Sequence, residues 1–101
     1  MSRVLESLTL GDFFGRVGEG FRVATSEAEI GLVLAEVTDL SRRDAPGPHR
    51  APFSLIFRGP FRPVLVQRIW PLEHAALGRL EIFLVPIGPD ETGMRYEAVF
   101  N

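Results

Sequence analysis

The residue types that support acid–base or metal chemistry are few and scattered in this chain. The two histidines are His49, near Asp44, and His74, directly after Glu73. A histidine beside a carboxylate can act as a general base or contribute to a metal site. Neither histidine belongs to a His-x-His or His-x-x-x-His pattern, and adjacent residues on a strand point apart. We therefore expect surface histidines, and an enzyme in which these histidines and acids converge in one cleft is our third hypothesis.

Other catalytic machinery is not apparent. The chain has no cysteine, which excludes disulfides, thiolate zinc sites, iron–sulfur clusters and a cysteine nucleophile. No serine lies in a Gly-x-Ser-x-Gly elbow, and the glycines of "GRVGEG" match neither a phosphate-binding loop nor a dinucleotide fingerprint. The sequence predicts no catalytic residues, no metal site and no cofactor.

Binding chemistry is concentrated around "PFSLIFRGPFRP", residues 52–63. Arg58 and Arg62 flank a Gly59-Pro60 dipeptide, and a guanidinium group binds oxyanions through paired hydrogen bonds. Phe61 and the single tryptophan, Trp70, offer aromatic surface for stacking. Four residues are thus candidates for a site that takes a small anion or a glycan: Arg58, Phe61, Arg62 and Trp70. The alternative is a hairpin corner, and codon bias is the simpler explanation for eleven basic residues that are all arginine.

Composition limits the class of protein. A chain of 101 residues fits one domain, residues 1–101, with 46% hydrophobic and 24% charged residues typical of a globular fold. The formal net charge of −2 argues against general attraction to nucleic acid or anionic lipid. No apolar run approaches the roughly 20 residues that span a bilayer, and the N-terminus does not resemble a targeting segment. We expect a cytoplasmic protein.

The elements that must position these residues are mainly strands. Helical spacing over residues 9–16, with Thr9 and Asp12 as a reduced capping box, predicts a short helix whose Phe13 and Phe14 plug one end of a sheet or barrel. From Phe21 the apolar period is two, and turn signals recur about every ten residues. The proline-rich segment 41–52 is a predicted loop. The pattern predicts an antiparallel six-stranded meander, forming a small barrel or sandwich.

The pleat also predicts which side chains face the core. Phe53, Leu55 and Phe57 face inward, and Gly59-Pro60 is a hairpin corner before the strand "PVLVQRIWPL". "EHAALG" is a connector with one helical turn, and "MRYEAVFN" places the C-terminus inside the fold. "LEIFLVPIG" is apolar on both faces, so the N-terminal helix with the long loop, or another subunit, must cover it.

Three blocks of the sequence resemble a known family. "PFSLIFRGP", "LVQRIWPLEHAALGRLEIFLVPIGPD" and "YEAVFN" are similar to the signature of a family of small bacterial proteins of unknown function. The resemblance extends from "LTLGDFF" to Asn101, and "FRPVLVQRIW" departs from it. It implies no catalytic residues, because the family has no established activity, and it implies an association with phage-tail-like collar proteins.

We conclude that the sequence favours a non-catalytic structural or interaction protein, accessory to a phage-tail-like assembly. Its expected partner is another protein or further copies of itself, because a small domain with a strand that is apolar on both faces tends to associate. The second hypothesis is a small-molecule or glycan-binding barrel, with a pocket rimmed by Arg58, Arg62, Trp70 and the loop 41–52.

Overall fold

A computed structural model of the chain describes residues 2–3, 8–41 and 52–101. It shows a closed antiparallel barrel of six strands with one short helix near the N-terminus. The predicted all-β class is confirmed, and the barrel is the correct alternative. The elements are β1 (Ser2–Arg3), α1 (Leu10–Phe13), β2 (Gly20–Ala24), β3 (Glu29–Asp39), β4 (Phe53–Gly59), β5 (Arg68–His74), β6 (Gly78–Pro89) and β7 (Met94–Phe100).

Two three-stranded units close on each other to form the ring. β2, β3 and β4 pair in sequence order, as do β5, β6 and β7. β4 then pairs with β7, and β5 pairs with β2. Every strand of the ring therefore lies between two neighbours, although β2 and β5 pair only through Arg22–Glu73 and Val23–Leu72. β1 lies outside the ring and pairs in parallel with β6.

The chain crosses one end of the barrel between β4 and β5. The hairpin predicted at Gly59-Pro60 is wrong, because Gly59 pairs with Met94 of β7 and that edge of β4 is not open to β5. Residues 60–67, which we call the crossover, are irregular, and β5 begins only at Arg68. The strand predicted over "PVLVQ" is likewise absent from the structure.

Inward side chains fill the barrel. Phe53, Leu55 and Phe57 are fully buried, as the alternation predicted, and Tyr96, Ala98 and Phe100 form the inward row of β7. An eight-stranded barrel is only just wide enough to be filled by its own side chains, so a six-stranded barrel has no lumen. The inward row of the last strand is buried as predicted, whereas Asn101 after it is exposed.

The helix closes one end of the barrel through a single aromatic ring. Thr9 N–H donates to Asp12 Oδ2 at 2.8 Å at the start of α1. The helix is shorter than predicted, because the backbone is already extended at Phe14, and Gly15 follows with a φ of 86°. Phe13 is fully buried, with ring centroids 6.5 Å from Phe21 and 5.8 Å from Phe53. The predicted plug is correct for Phe13 and wrong for Phe14, which is 77% exposed.

The outer face of β6 stays open over part of its length. Phe83 and Ile87 are exposed, and α1 lies at the barrel end instead of across this strand. The predicted loop 41–52 lies, apart from its two end residues, outside the described part of the chain. Among the described residues, no helix has the length and apolar character to cross a bilayer.

Candidate functional site

All four candidate binding residues lie at one end of the barrel. This end, the crossover end, carries the crossover, the β2–β3 turn (residues 25–28) and the β6–β7 turn (residues 90–93). Arg58 precedes the last residue of β4, Phe61 and Arg62 belong to the crossover, and Trp70 lies near the start of β5. The end of β4, the crossover and the start of β5 thus bring all four residues to the same end of the barrel.

Leu65 anchors the crossover in the barrel. Its side chain is 3% exposed, and its backbone N–H donates to the hydroxyl oxygen of Tyr96 at 2.9 Å. This bond explains why residues 63–67 do not form a strand: a buried amide is satisfied by a side chain inside the barrel instead of by a neighbouring strand. Leu65 therefore closes the crossover end as Phe13 closes the other.

A groove of about 190 Å³ lies beside this plug. It is lined by the β2–β3 turn, Ile30, residues 63–66 and Trp70, and we call it the Trp70 groove. The Trp70 indole Nε1–H donates to the Val66 carbonyl at 2.8 Å, and the Arg68 guanidinium carbon lies 4.6 Å from the ring centroid. These contacts fix the indole before any partner binds.

The opposite rim of the Trp70 groove is also held in place. The Thr25 hydroxyl donates to the Ala28 carbonyl at 2.8 Å, and it accepts the backbone N–H groups of Ala28 at 3.0 Å and Glu27 at 3.3 Å. A turn closed by these bonds needs little ordering on association. The rim presents Glu27 to solvent.

Arg58 has a structural partner in the β6–β7 turn. Its Nε and Nη2 both approach Asp90 Oδ2, at 2.9 and 2.7 Å. Asp90 Oδ1 accepts the backbone N–H groups of Thr92 at 2.8 Å and Gly93 at 3.0 Å. The hydrogen bond from Arg58 is the main reason that the pKa of Asp90 is held well below its usual value of 3.8. Arg58 therefore fastens this turn to the end of β4.

The structure separates Arg58 from Trp70. Arg58 borders an open depression with Asp90, Glu91 and Thr92, whereas Trp70 belongs to the groove on the crossover side. The four candidate residues share one end of the barrel, but these two line different pockets. Sequence reasoning missed Asp90 as the partner of Arg58, because the β6–β7 turn becomes its neighbour only when the ring closes.

Exposed apolar side chains gather at the crossover end. Of the eleven large apolar side chains that are exposed among the described residues, six lie there: Phe61, Val64, Val66, Ile69, Phe83 and Ile87. Ile69 and Phe83 are register partners on the outer face of β5 and β6. Only Phe61 was singled out from the sequence, and the apolar outer face of "LEIFLVPIG" was the signal that could have added Phe83 and Ile87.

His74 lies at the opposite end and is buried. The side chain is only 4% exposed, its ring centroid is 4.5 Å from that of Phe21, and Nε2 lies 2.7 Å from Glu19 Oε1. The surface location predicted for it is wrong, because the pleat of β5 turns Leu72 and His74 inward. The hydrogen bond from His74 lowers the pKa of Glu19 below its usual value of 4.5.

Both ring nitrogens of His74 are in use. Nδ1 accepts the backbone N–H groups of Ala76 and Leu77, each at 3.1 Å, so the ring proton lies on Nε2 and is donated to Glu19. These bonds form a tight turn over residues 75–77, and the helical turn predicted in "EHAALG" is wrong. An imidazole bound in this way is a structural connector between β5 and the segment after α1.

The histidine–acid pair of the enzyme hypothesis does not form at His74. Glu73 points outward and pairs with Arg22 of β2, Nη2 to Oε2 3.6 Å. His49 and Asp44 lie outside the described residues. Across the described ranges, no group of three or more histidine or acidic side chains is placed to hold a metal ion.

The fold and the crossover end define the class of protein: a small closed antiparallel β-barrel, plugged at both ends, with an apolar groove and charged rim on its surface. The chain belongs to the DUF6916 family, a domain of unknown function, whose family model matches residues 8–100. Membership agrees with the resemblance of the sequence to a family without established activity. No curated protein and no solved structure matches the chain.

Proposed function

We propose that the protein is a non-catalytic structural protein that assembles with copies of itself through the crossover end. The observation that supports this most directly is the set of exposed apolar side chains at the crossover end: Val64 and Val66 line the Trp70 groove, and Ile69 and Phe83 are register partners on the outer face beside it. Contiguous exposed apolar surface on a small soluble domain is typical of association sites. Each strand of the ring lies between two neighbours, so most strand edges are already paired, and the exposed side chains are the surface that we propose for association.

Size and charge favour a protein partner over a small ligand. Pockets for drug-sized ligands occupy roughly 300–1,000 Å³, and the Trp70 groove has about 190 Å³. Arg58, the residue best suited by sequence to bind an anion, already binds Asp90. The depression beside Arg58 is larger, about 450 Å³, but it is open and bordered by the carboxylates of Asp90 and Glu91, which disfavours an anion. The binding-barrel alternative therefore has less support.

The finer part of the proposal is an accessory role in a phage-tail-like assembly. It is supported by the resemblance of "PFSLIFRGP" and "YEAVFN" to a family that occurs with collar proteins. Self-association through one end is compatible with such a role, because a second surface, at the α1 end, stays available for another partner.

The test is the solution mass of two matched variants. Size-exclusion chromatography with light scattering should give a mass of twice 11.2 kDa for the wild type at high concentration. Ile69→Asp should give the monomer mass, because it places a charge in the apolar surface. Val99→Asp is the control: Val99 is 51% exposed and Ile69 49%, but Val99 lies on β7 near the α1 end, and this variant should stay dimeric. A wild type that is strictly monomeric, or a Val99→Asp variant that dissociates as Ile69→Asp does, would overturn the proposal.

A further inference from the structure

We propose that the self-association is a twofold dimer in which Phe61 of each copy inserts into the Trp70 groove of the other. This inference rests on the proposed function, and it adds the side chain that enters the groove, the ion pair beside it and the symmetry. It concerns three features of the crossover end: a preformed apolar groove, an aromatic side chain exposed next to it, and two charges of opposite sign that form no ion pair with any described residue.

The groove and Phe61 are complementary in size. A volume of about 190 Å³ accommodates one large side chain, and Phe61 is 51% exposed without lining the groove of its own chain. When the Phe61 ring of one copy enters the groove of another, the ring and the groove are both removed from water, which favours association.

The backbone around Phe61 is restrained before association. Pro60 and Pro63 enclose the Phe61-Arg62 pair, and each proline ring limits φ at its own position. Leu65 then fixes the following segment to Tyr96. An anchor residue presented by a restrained segment loses less conformational freedom on binding, which favours affinity. The receptor is restrained as well, since Trp70 is held by Val66 and Arg68.

Charge complementarity selects a second copy as the occupant. Glu27 is exposed on the rim of the groove, and Arg62 directly follows the inserted residue in sequence. Within the part of the chain that the structure describes, neither side chain forms an ion pair. Insertion of Phe61 brings Arg62 of one copy to Glu27 of the second copy, so that both charges gain a partner.

The placement of donor and receptor on one end sets the symmetry. A twofold axis between two crossover ends makes the Phe61–groove contact and the Arg62–Glu27 contact twice, and the contacts close at two copies. Opposite placement of donor and receptor would produce an open chain of molecules instead. The expected species is therefore a closed dimer.

The first test removes the inserted ring. Phe61→Ala should weaken the dimer at least about 30-fold in sedimentation equilibrium, the loss expected for a central anchor residue. Phe14→Ala removes a more exposed ring at the opposite end and should leave the dissociation constant within about twofold. Circular dichroism of both variants should match the wild type, because both side chains lie at the surface.

The second test exchanges the charges. Arg62→Glu and Glu27→Arg should each weaken the dimer, since each juxtaposes like charges across the interface, and the double variant should recover most of the wild-type affinity. Recovery requires that the two residues meet, so a merely structural effect of either substitution would not produce it.

Two results separate this inference from the proposed function. A wild-type dimer that Ile69→Asp dissociates and Phe61→Ala leaves intact would overturn the inserted Phe61 while the proposed function stands. A double charge variant that is weaker than both single variants would likewise overturn the inference. A strictly monomeric wild type would overturn both.

Discussion

The backbone amide of Leu65 donates a hydrogen bond to the hydroxyl oxygen of Tyr96, 2.9 Å away, inside the barrel. This contact joins the crossover to the last strand, and it fixes both the wall of the Trp70 groove and the segment that carries Phe61. The residues that we propose to form the association surface thus depend on a buried hydroxyl of β7.

Tyr96→Phe should destabilise the protein although it removes a single atom. The Leu65 N–H would be left buried without an acceptor, which costs about 1–3 kcal/mol, and urea unfolding should show a midpoint lowered accordingly. Ser54→Ala, which removes a hydroxyl from the outer face of β4, should change stability by less than about 0.5 kcal/mol. Equal stability of Tyr96→Phe and wild type would show that the hydroxyl does not hold the crossover.

Acid should weaken the attachment of the β6–β7 turn to β4. The pKa of Asp90 is lower in the folded protein than its usual value of 3.8, so the charged carboxylate stabilises the fold above that value. Its contribution is lost as the pH falls through the folded pKa. The melting temperature should therefore drop on acidification below about pH 4, and Asp90→Asn should show a smaller drop over the same range.

Arg58→Gln is the second variant for this prediction. Without the guanidinium, the pKa of Asp90 in the folded protein returns towards its usual value of 3.8, the difference from the unfolded chain shrinks, and the acid-induced loss should be smaller than in the wild type. Melting profiles of wild type and Asp90→Asn that run parallel from neutral to strongly acidic pH would contradict the role assigned to the Arg58–Asp90 pair.

Gly93 should not tolerate a side chain. A Cβ at this position would collide with the carbonyl oxygen of Gly59 and lie 3.1 Å from Arg58 Cγ. Because the colliding atom is backbone, β4 and the turn would have to move apart, and Gly93→Ala should cost about 2–3 kcal/mol in urea unfolding.

Gly31→Ala is the matched control for Gly93→Ala. Gly31 lies in β3, and no atom is within 4 Å of the position of an added Cβ. Alanine should be neutral there or stabilising by up to about 1 kcal/mol, since it restricts the unfolded chain. Similar losses for the two variants would mean that the close approach of Gly93 to Gly59 is not the cause.

Phe13 and Phe14 should differ sharply despite being neighbours. Phe13 is fully buried, and its ring centroid lies 5.8 Å from that of Phe53 and 6.1 Å from that of Phe100. Phe13→Ala should cost about 3–5 kcal/mol by opening the α1 end of the barrel. Phe14→Ala should cost less than about 0.5 kcal/mol. Comparable melting temperatures for the two variants would contradict the plug.

The strands and their inward faces follow from the local sequence pattern. The pairings that close the ring, β4 with β7 and β5 with β2, do not. Alternation correctly placed Phe53, Leu55 and Phe57 in the core, because the period of the pleat depends only on neighbouring residues. The hairpin predicted at Gly59-Pro60 failed because Met94 of β7 takes the place beside Gly59. His74 was misplaced because the sequence assigned it to the connector "EHAALG" instead of to the end of β5, and its partner Glu19, 55 residues away in sequence, gave no local sign of burial. Long-range pairings of this kind leave no signal in a single segment.

The candidate site shows the same division. The arginine and aromatic residues of segment 52–63 and Trp70 predicted a binding site, and the structure places Arg58 and Trp70 at the same end of the barrel. The separation of these two residues into different pockets depends on Asp90, which arrives with the β6–β7 turn. The role of these residues in binding a small ligand stays a prediction.

Trp70 reports directly on whether the groove is filled on association, since it is the single tryptophan of the chain. Fluorescence emission should be recorded across a dilution series together with light scattering. We expect the wild-type emission to move to shorter wavelength as the mass doubles, with one common midpoint, and Phe61→Ala to keep the emission of the monomer. A mass that doubles while the Trp70 emission stays unchanged would contradict the insertion of a second copy into the Trp70 groove.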